Sequence, residues 1–249
     1  MANPPESTTS PVKNETGIVY LVGAGPGAVD LITVRGAKLL AQANIVLHDA
    51  LVTSDMLALC PQAIKISVGK RSGQRSAAQE HINQQLVEAA QQHAIVVRLK
   101  GGDPMLFGRA DEEMTALEQA GIRFEIVPGI TTAMAAAASV KLPLTKRGVA
   151  RSVALFTSST APGESVETRI PDCDTLIQYM GGKEAILTAQ RMLAKGFPES
   201  HPIVIVQSCS RPEEQHLHLT LADLAHGLPE CDGPVLVMMG EAMRDRNSN

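Results

Sequence analysis

Three glycine-rich stretches of this chain carry the residue types needed to hold a small ligand largely by backbone. The first, Gly23-Ala24-Gly25-Pro26-Gly27-Ala28, follows an apolar run and precedes a helix-like segment. Glycine permits a tight turn and close approach of backbone to ligand, and a following helix N-terminus favours negative charge. The stretch matches GxGxxG/A, and Asp49 ends the next strand-like run, where a dinucleotide fold places its ribose-binding carboxylate. On these residues alone, an NAD-dependent oxidoreductase using Gly23, Gly25, Ala28 and Asp49 stands beside a turn that simply needs glycine. Pro26 counts against the dinucleotide, because it removes one N–H from a phosphate cradle. The second stretch, Leu99-Lys100-Gly101-Gly102-Asp103-Pro104, ends a fourth strand-like run. The third, Val127-Pro128-Gly129-Ile130-Thr131-Thr132, ends a fifth, with Thr131 placed to cap the small-residue helix after it. Ligands of α/β sheets lie beyond the strand C-termini, so these turns are expected to converge on one crevice.

Two basic blocks point to an anionic ligand. Between Met56 and Gln79 there is no acidic residue, but there are Lys65, Lys70, Arg71 and Arg75. Between Ile126 and Gly163 there is again none, but there are Lys141, Lys146, Arg147 and Arg151. Arginine pairs bidentately with carboxylates; the alternative for each residue is a solvated surface charge. No metal is expected. The histidines lack ligand spacing apart from His216 and His218, an exposed pair on one strand face. The four cysteines, Cys60, Cys173, Cys209 and Cys231, show no CxxC spacing and read as free thiols.

Short apolar runs alternate with amphipathic segments along the chain. Strands are expected at Ile18–Val22, Ile45–His48, Ala63–Val68, Ile95–Leu99 and Phe124–Val127, with helices at Leu31–Ala43, Ala77–Gln92 and Glu112–Ala120. A second series has strands at Val153–Phe156, Thr175–Tyr179, Ile203–Gln207, His216–Leu219 and Val235–Met239, and one long helix, Lys183–Lys195. The alternation predicts an α/β protein of two domains with mostly parallel or mixed sheets and a cleft between them. The expected division is a disordered tail over 1–16, domains over 17–145 and 146–243, and a short tail over 244–249. The length of 249 residues and 44% hydrophobic content suit that size. A net charge of -4 argues against binding nucleic acid by bulk charge. No apolar run reaches the roughly 18–20 residues that span a bilayer. The N-terminus does not resemble a secretory signal, so a cytoplasmic protein is expected.

The motifs together resemble a known family. VGAGPG at 22–27, VGKR at 68–71, RLKGGDP at 98–104, FGR at 107–109, VPGIT at 127–131 and YMGG at 179–182 are similar to those of the uroporphyrinogen-III C-methyltransferases. The likeness runs in order from about residue 17 to 242. It implies a tetrapyrrole methylase-like fold, usually a homodimer. The implied reaction is transfer of methyl groups from S-adenosylmethionine to C2 and C7 of uroporphyrinogen III, giving precorrin-2 for siroheme or cobalamin-type synthesis.

Carried onto this sequence, the family's cofactor contacts fall on Pro26, Gly101, Gly102, Asp103, Leu106, Thr131, Thr132 and Met180, and at Cys209, where glycine is often found. The resemblance assigns the proton acceptor to Asp49 and the donor to Lys70. It assigns substrate handling to Arg109 and Glu112, and the second basic block adds Lys146 and Arg147 as further expected partners of substrate carboxylates. Asp103 also reads as a plain turn residue. The chain departs from the family's THRD at Thr145-Lys146-Arg147-Gly148, and from its TGH at Thr157-Ser158-Ser159. The missing histidine leaves a non-catalytic cofactor-binding relative as an alternative, alongside a methylase of another tetrapyrrole intermediate.

Overall fold

The computed structural model describes residues 16–68, 75–159, 169–228, 231 and 233–245, and these form two five-stranded sheets. The first sheet is built from β1 (Ile18–Gly23), α1 (Val34–Gln42), β2 (Ile45–His48), α2 (Ser54–Leu57), β3 (Ile64–Ser67), α3 (Arg75–Gln92), β4 (Ile95–Lys100), α4 (Ala110–Gln119) and β5 (Arg123–Val127). Its order is β3-β2-β4-β1-β5, with every pairing parallel. Alternate residues supply the two faces. Val19, Leu21 and Leu47 pack with Leu86 of α3 and Leu117 of α4. Val22, Val46 and Val97 pack with Leu40 of α1 and Met56 of α2. Each fully buried leucine contributes about 1.5–3 kcal/mol, so apolar strand runs hold helices on both sides. Because the pairings are parallel, all five strands end on one edge. α1 begins later than its apolar pattern suggests: Val29–Leu31 is a 3₁₀ turn, and the Thr33 hydroxyl accepts a hydrogen bond from Gly36 N at 3.1 Å to cap the helix.

The second sheet follows α5 (Thr132–Ser139) and consists of β6 (Val153–Thr157), β7 (Thr175–Tyr179), α6 (Gly182–Ala194), β8 (Pro202–Gln207), β9 (Gln215–Thr220), α7 (Leu221–His226) and β10 (Val235–Met239). Its order is β6-β7-β10-β8-β9. Only β6 and β7 pair in parallel; β10 runs antiparallel between β7 and β8, and β9 returns antiparallel beside β8. A mostly parallel arrangement therefore does not extend to this half. The crossover through α6 leaves a gap one strand wide, which β10 fills from the other direction. Ala133 and Ala136 of α5 lie against Ile177, Val204 and Leu236 on one face, where methyl side chains allow close helix–sheet approach. Ala185 and Met192 of α6 and Leu224 of α7 cover the other. The sequence pattern does not single out α2 or α7; the latter is short and held by a capping box between Thr220 and Asp223.

Candidate active site

The three glycine turns meet at the C-terminal edge of the first sheet. Gly25 and Gly102 exchange backbone hydrogen bonds, Gly102 N to Gly25 O at 2.7 Å and Gly25 N to Gly102 O at 3.2 Å. A Cβ on Gly23 would lie 2.6 Å from Gly129 Cα, so glycine is required there by backbone packed on backbone. The case at Gly101 and Gly102 is different. A Cβ at Gly101 would make only ordinary contact with Leu51, and at Gly102 the nearest protein atom would be 4.0 Å away, although φ is +69°. The space in front of Gly102 is thus open. The Asp103 carboxylate bridges two turns, accepting from Met105 N at 2.8 Å and Gly129 N at 2.9 Å.

Opposite this edge stand the ends of β7 and β8 and the start of β10, and between them lies a cavity of about 280 Å³. Pro26, Gly101, Gly102, Asp103 and Leu106 line it from the first sheet's turns, Thr131 and Thr132 from the start of α5. Met180 and Cys209 line it from the second sheet, so all nine expected cofactor contacts share one wall system. Several non-glycine residues here are held at positive φ: Phe107, Met180, and Ser208 and Ser210 on either side of Cys209. Such conformations cost of order 1–3 kcal/mol each and cluster at functional sites.

Sequence reasoning missed Tyr179, Phe107, Leu51 and Arg211, which also line the cavity. Tyr179 corrects the expectation for Thr131, whose side chain does not cap α5. Its hydroxyl instead bonds the Tyr179 phenol at 2.5 Å, and that same oxygen accepts from Ala133 N at 3.0 Å. A strand-end tyrosine therefore takes the capping role, and its ring packs against Phe107 at 5.2 Å between centroids. Burial pushes the phenol above its ordinary pKa. The YMGG motif was the available signal for Tyr179; nothing in the sequence marked Arg211. Arg211 Nη2 donates to Leu51 O at 2.7 Å, and Ser210 Oγ accepts from Ala28 N at 3.0 Å, tying the loop after β8 to the first sheet's turns. The Cys209 thiol is buried, and burial followed by Glu214 pushes it up to about 12.

The remaining expected residues are not all brought to the cavity. Asp49 follows β2 and is not among the residues lining the cavity; its Oδ1 lies 2.5 Å from Arg98 Nη2 and its side chain is about one-third exposed (33%). Lys70 and Arg71 lie outside the described residues. Arg109 and Glu112, at the start of α4, form a bidentate ion pair with each other at 2.6 and 2.7 Å. Lys146 and Arg147 stand apart from the cavity. Lys146 pairs with Ala150 in a turn, and Leu144 O just before it accepts from the hydroxyl of Thr175, the first residue of β7. The cavity lies at the other end of β7, beyond Tyr179, a strand's length away. Among the described residues no group of three or more His, Cys, Asp and Glu side chains is placed to hold a metal; His216 bonds Glu214 at 2.6 Å instead.

Residues 18–225 match the family model of the Tetrapyrrole (Corrin/Porphyrin) Methylases. The chain is 40% identical over 231 residues to the uroporphyrinogen-III C-methyltransferase of Paracoccus denitrificans (strain Pd 1222), covering 90% of this chain and 80% of that one. It is 42% identical over 231 residues to siroheme synthase 2 of Yersinia pestis (strain Pestoides F), covering 91% of this chain but 49% of that protein. It thus spans about half the length of the siroheme synthases it matches. Among solved structures, uroporphyrin-III C-methyl transferase from Thermus thermophilus complexed with S-adenyl homocysteine superposes with a TM-score of 0.79 at 37% identity, over 92% of this chain and 94% of that one. A cobalt precorrin-4 methyltransferase superposes with a TM-score of 0.76 at 29% identity, over 92% and 96% of the two chains. A match over most of the chain, and two sheets facing one another across a turn-lined cleft, replace the dinucleotide oxidoreductase reading: this chain belongs to the tetrapyrrole methylases.

Proposed function

We propose that this chain is a uroporphyrinogen-III C-methyltransferase that uses S-adenosylmethionine to methylate C2 and C7 and release precorrin-2. The observation that carries the proposal is that the nine contacts implied by the family resemblance line one cavity, in a chain 37% identical to a structure complexed with S-adenyl homocysteine. The residues suit such a ligand. Open space faces Gly102, where a side chain would intrude, and the wall offers the Asp103 carboxylate beside the apolar Leu106 and Met180. When bound, the donor supplies a methyl group activated on a cationic sulfur, so no metal is needed.

What the protein contributes is orientation and proton handling. In-line positioning is worth several kcal/mol of barrier in well-oriented cases, and rigid interlocked turns provide it. Arg109, two residues after the cavity-lining Phe107, is suited to a substrate carboxylate, exchanging its surface pairing with Glu112 for a charge-assisted bond. Asp49 would accept the ring proton and Lys70 would donate one. Lys146 and Arg147 have no part in this chain's own cleft. A cytoplasmic homodimer belongs to the same proposal, and no helix among the described residues is long and apolar enough to cross a membrane. Precorrin-2 would then pass to siroheme or cobalamin-type synthesis.

The test is an anaerobic assay with uroporphyrinogen III and methyl-labelled donor. Two labelled methyl groups per product are expected. Binding of S-adenosylhomocysteine without any product would instead identify a non-catalytic relative.

A further inference from the structure

Beneath the cleft, four charged side chains form one connected network. Arg98 of β4 divides its guanidinium between two carboxylates: Nε reaches Glu113 Oε1 at 2.9 Å, and Nη2 reaches Asp49 Oδ1 at 2.5 Å. Its Nη1 faces the carbonyl oxygens of Leu99 at 3.3 Å and Leu47 at 3.5 Å. The other oxygen of Glu113 accepts from Lys100 Nζ at 2.8 Å. Arg98, Lys100 and Glu113 are 3%, 2% and 0% exposed, and only Asp49 reaches solvent. The charges balance, two positive against two negative. Burial acts to lower the Arg98 guanidinium, but Asp49 and Glu113 together outweigh it and hold it above its ordinary pKa; burial first, then Arg98, draws the Lys100 ammonium below its own.

Buried ion pairs are a poor route to stability, since well-packed apolar residues of similar volume are often as good or better. Their geometry has another consequence here. Glu113 lies in the first turn of α4, next to Glu112 and close to Arg109, so the carboxylate that anchors this turn also anchors Arg98. Arg98 in turn holds Asp49, the residue just after the neighbouring strand β2, leaving Oδ2 with no hydrogen-bond partner among the described residues. We infer that Arg98, braced by Glu113, is a positioning residue: it sets Asp49 Oδ2 toward the cleft and keeps it in fixed register with Arg109 and Glu112. Lysine could not replace it, because a single ammonium cannot span both carboxylates.

This inference rests on the proposed participation of Asp49 in the chemistry. The test is a double-mutant cycle on the full chain, Arg98→Lys, Asp49→Asn and both, with kcat and KM for uroporphyrinogen III and calorimetric binding of S-adenosylhomocysteine. Misplacing a reacting group by about 1 Å costs about 10²-fold, so Arg98→Lys should lower kcat about 10²-fold with cofactor affinity unchanged. In the Asp49→Asn background the same substitution should do nothing further. Multiplicative losses, with Asp49→Asn itself impaired, would overturn the positioning role and leave Asp49 as the base. An Asp49→Asn variant with unchanged kcat would overturn both. Glu113→Gln, which keeps side-chain shape, should repeat the non-additive pattern if Arg98→Lys does not fold.

Discussion

Replacing Tyr179 by phenylalanine removes a single oxygen from the cleft wall and leaves the ring against Phe107. That oxygen is the only side-chain cap at the start of α5 among the described residues, accepting from Ala133 N at 3.0 Å, and it also pairs with the Thr131 hydroxyl at 2.5 Å. Losing a helix cap costs about 0.5–2 kcal/mol, and an unpaired, partly buried hydroxyl adds up to a similar amount. Because the Thr131 hydroxyl and the Ala133 N–H lose the same partner and lie in the same turn, the two losses overlap, and a total of about 1–2 kcal/mol is expected. In a chain of this size each kcal/mol lowers Tm by about 2–4 °C, so calorimetry should show a fall of about 2–8 °C. Thr131 and Thr132 line the cavity, so S-adenosylhomocysteine binding should weaken as well, by about tenfold for each 1.4 kcal/mol carried into the site. An unchanged Tm together with unchanged ligand affinity would refute the assignment of Tyr179 as the cap.

A Cβ on Gly129 would lie 2.8 Å from Gly23 Cα; overpacking of this kind costs about 1–3 kcal/mol, so Gly129→Ala should lower Tm and weaken S-adenosylhomocysteine in calorimetry. Gly102→Val should weaken the same ligand more than it lowers Tm, because its side chain would enter the open space of the cleft. Arg109→Ala should raise KM for uroporphyrinogen III about tenfold or more through one lost charge-assisted contact of about 1.5–3 kcal/mol, while Tm stays put, since its pairing with Glu112 is exposed. The Cys209 thiol, raised from 9.0 to about 12 in the folded chain, stabilises the fold fully below pH 9 relative to an unfolded thiol. That contribution is lost as pH rises from 9 toward 12, because the unfolded chain ionises first. Denaturant titrations at alkaline pH should show a shallower decline in Cys209→Ala than in the parent chain.

Local chemistry was legible without the fold. Apolar runs with β-branched residues marked the central strands such as β1, β4 and β8, since a strand buried on both faces has little use for polar residues, and the three glycine turns were identifiable because their backbones admit few other residues. Their motifs carried the family and, with it, nine cleft residues. Long-range pairing was not legible: nothing in Val235–Met239 says that this strand slips antiparallel between β7 and β8, since the order of strands depends on which apolar faces meet after the crossover closes. For the same reason Lys146 and Arg147, basic and near a site loop in sequence, fall at the far end of the second sheet. Tyr179 became a cap and Arg211 a tie to Leu51 only because two distant segments approach within hydrogen-bonding distance. Sequence by itself determined the strands, the longer helices and the glycine turns, because those depend on neighbours along the chain; tertiary structure decided which polar groups line the cavity and which pair beneath it, because burial obliges each charge to find a partner wherever the fold brings one.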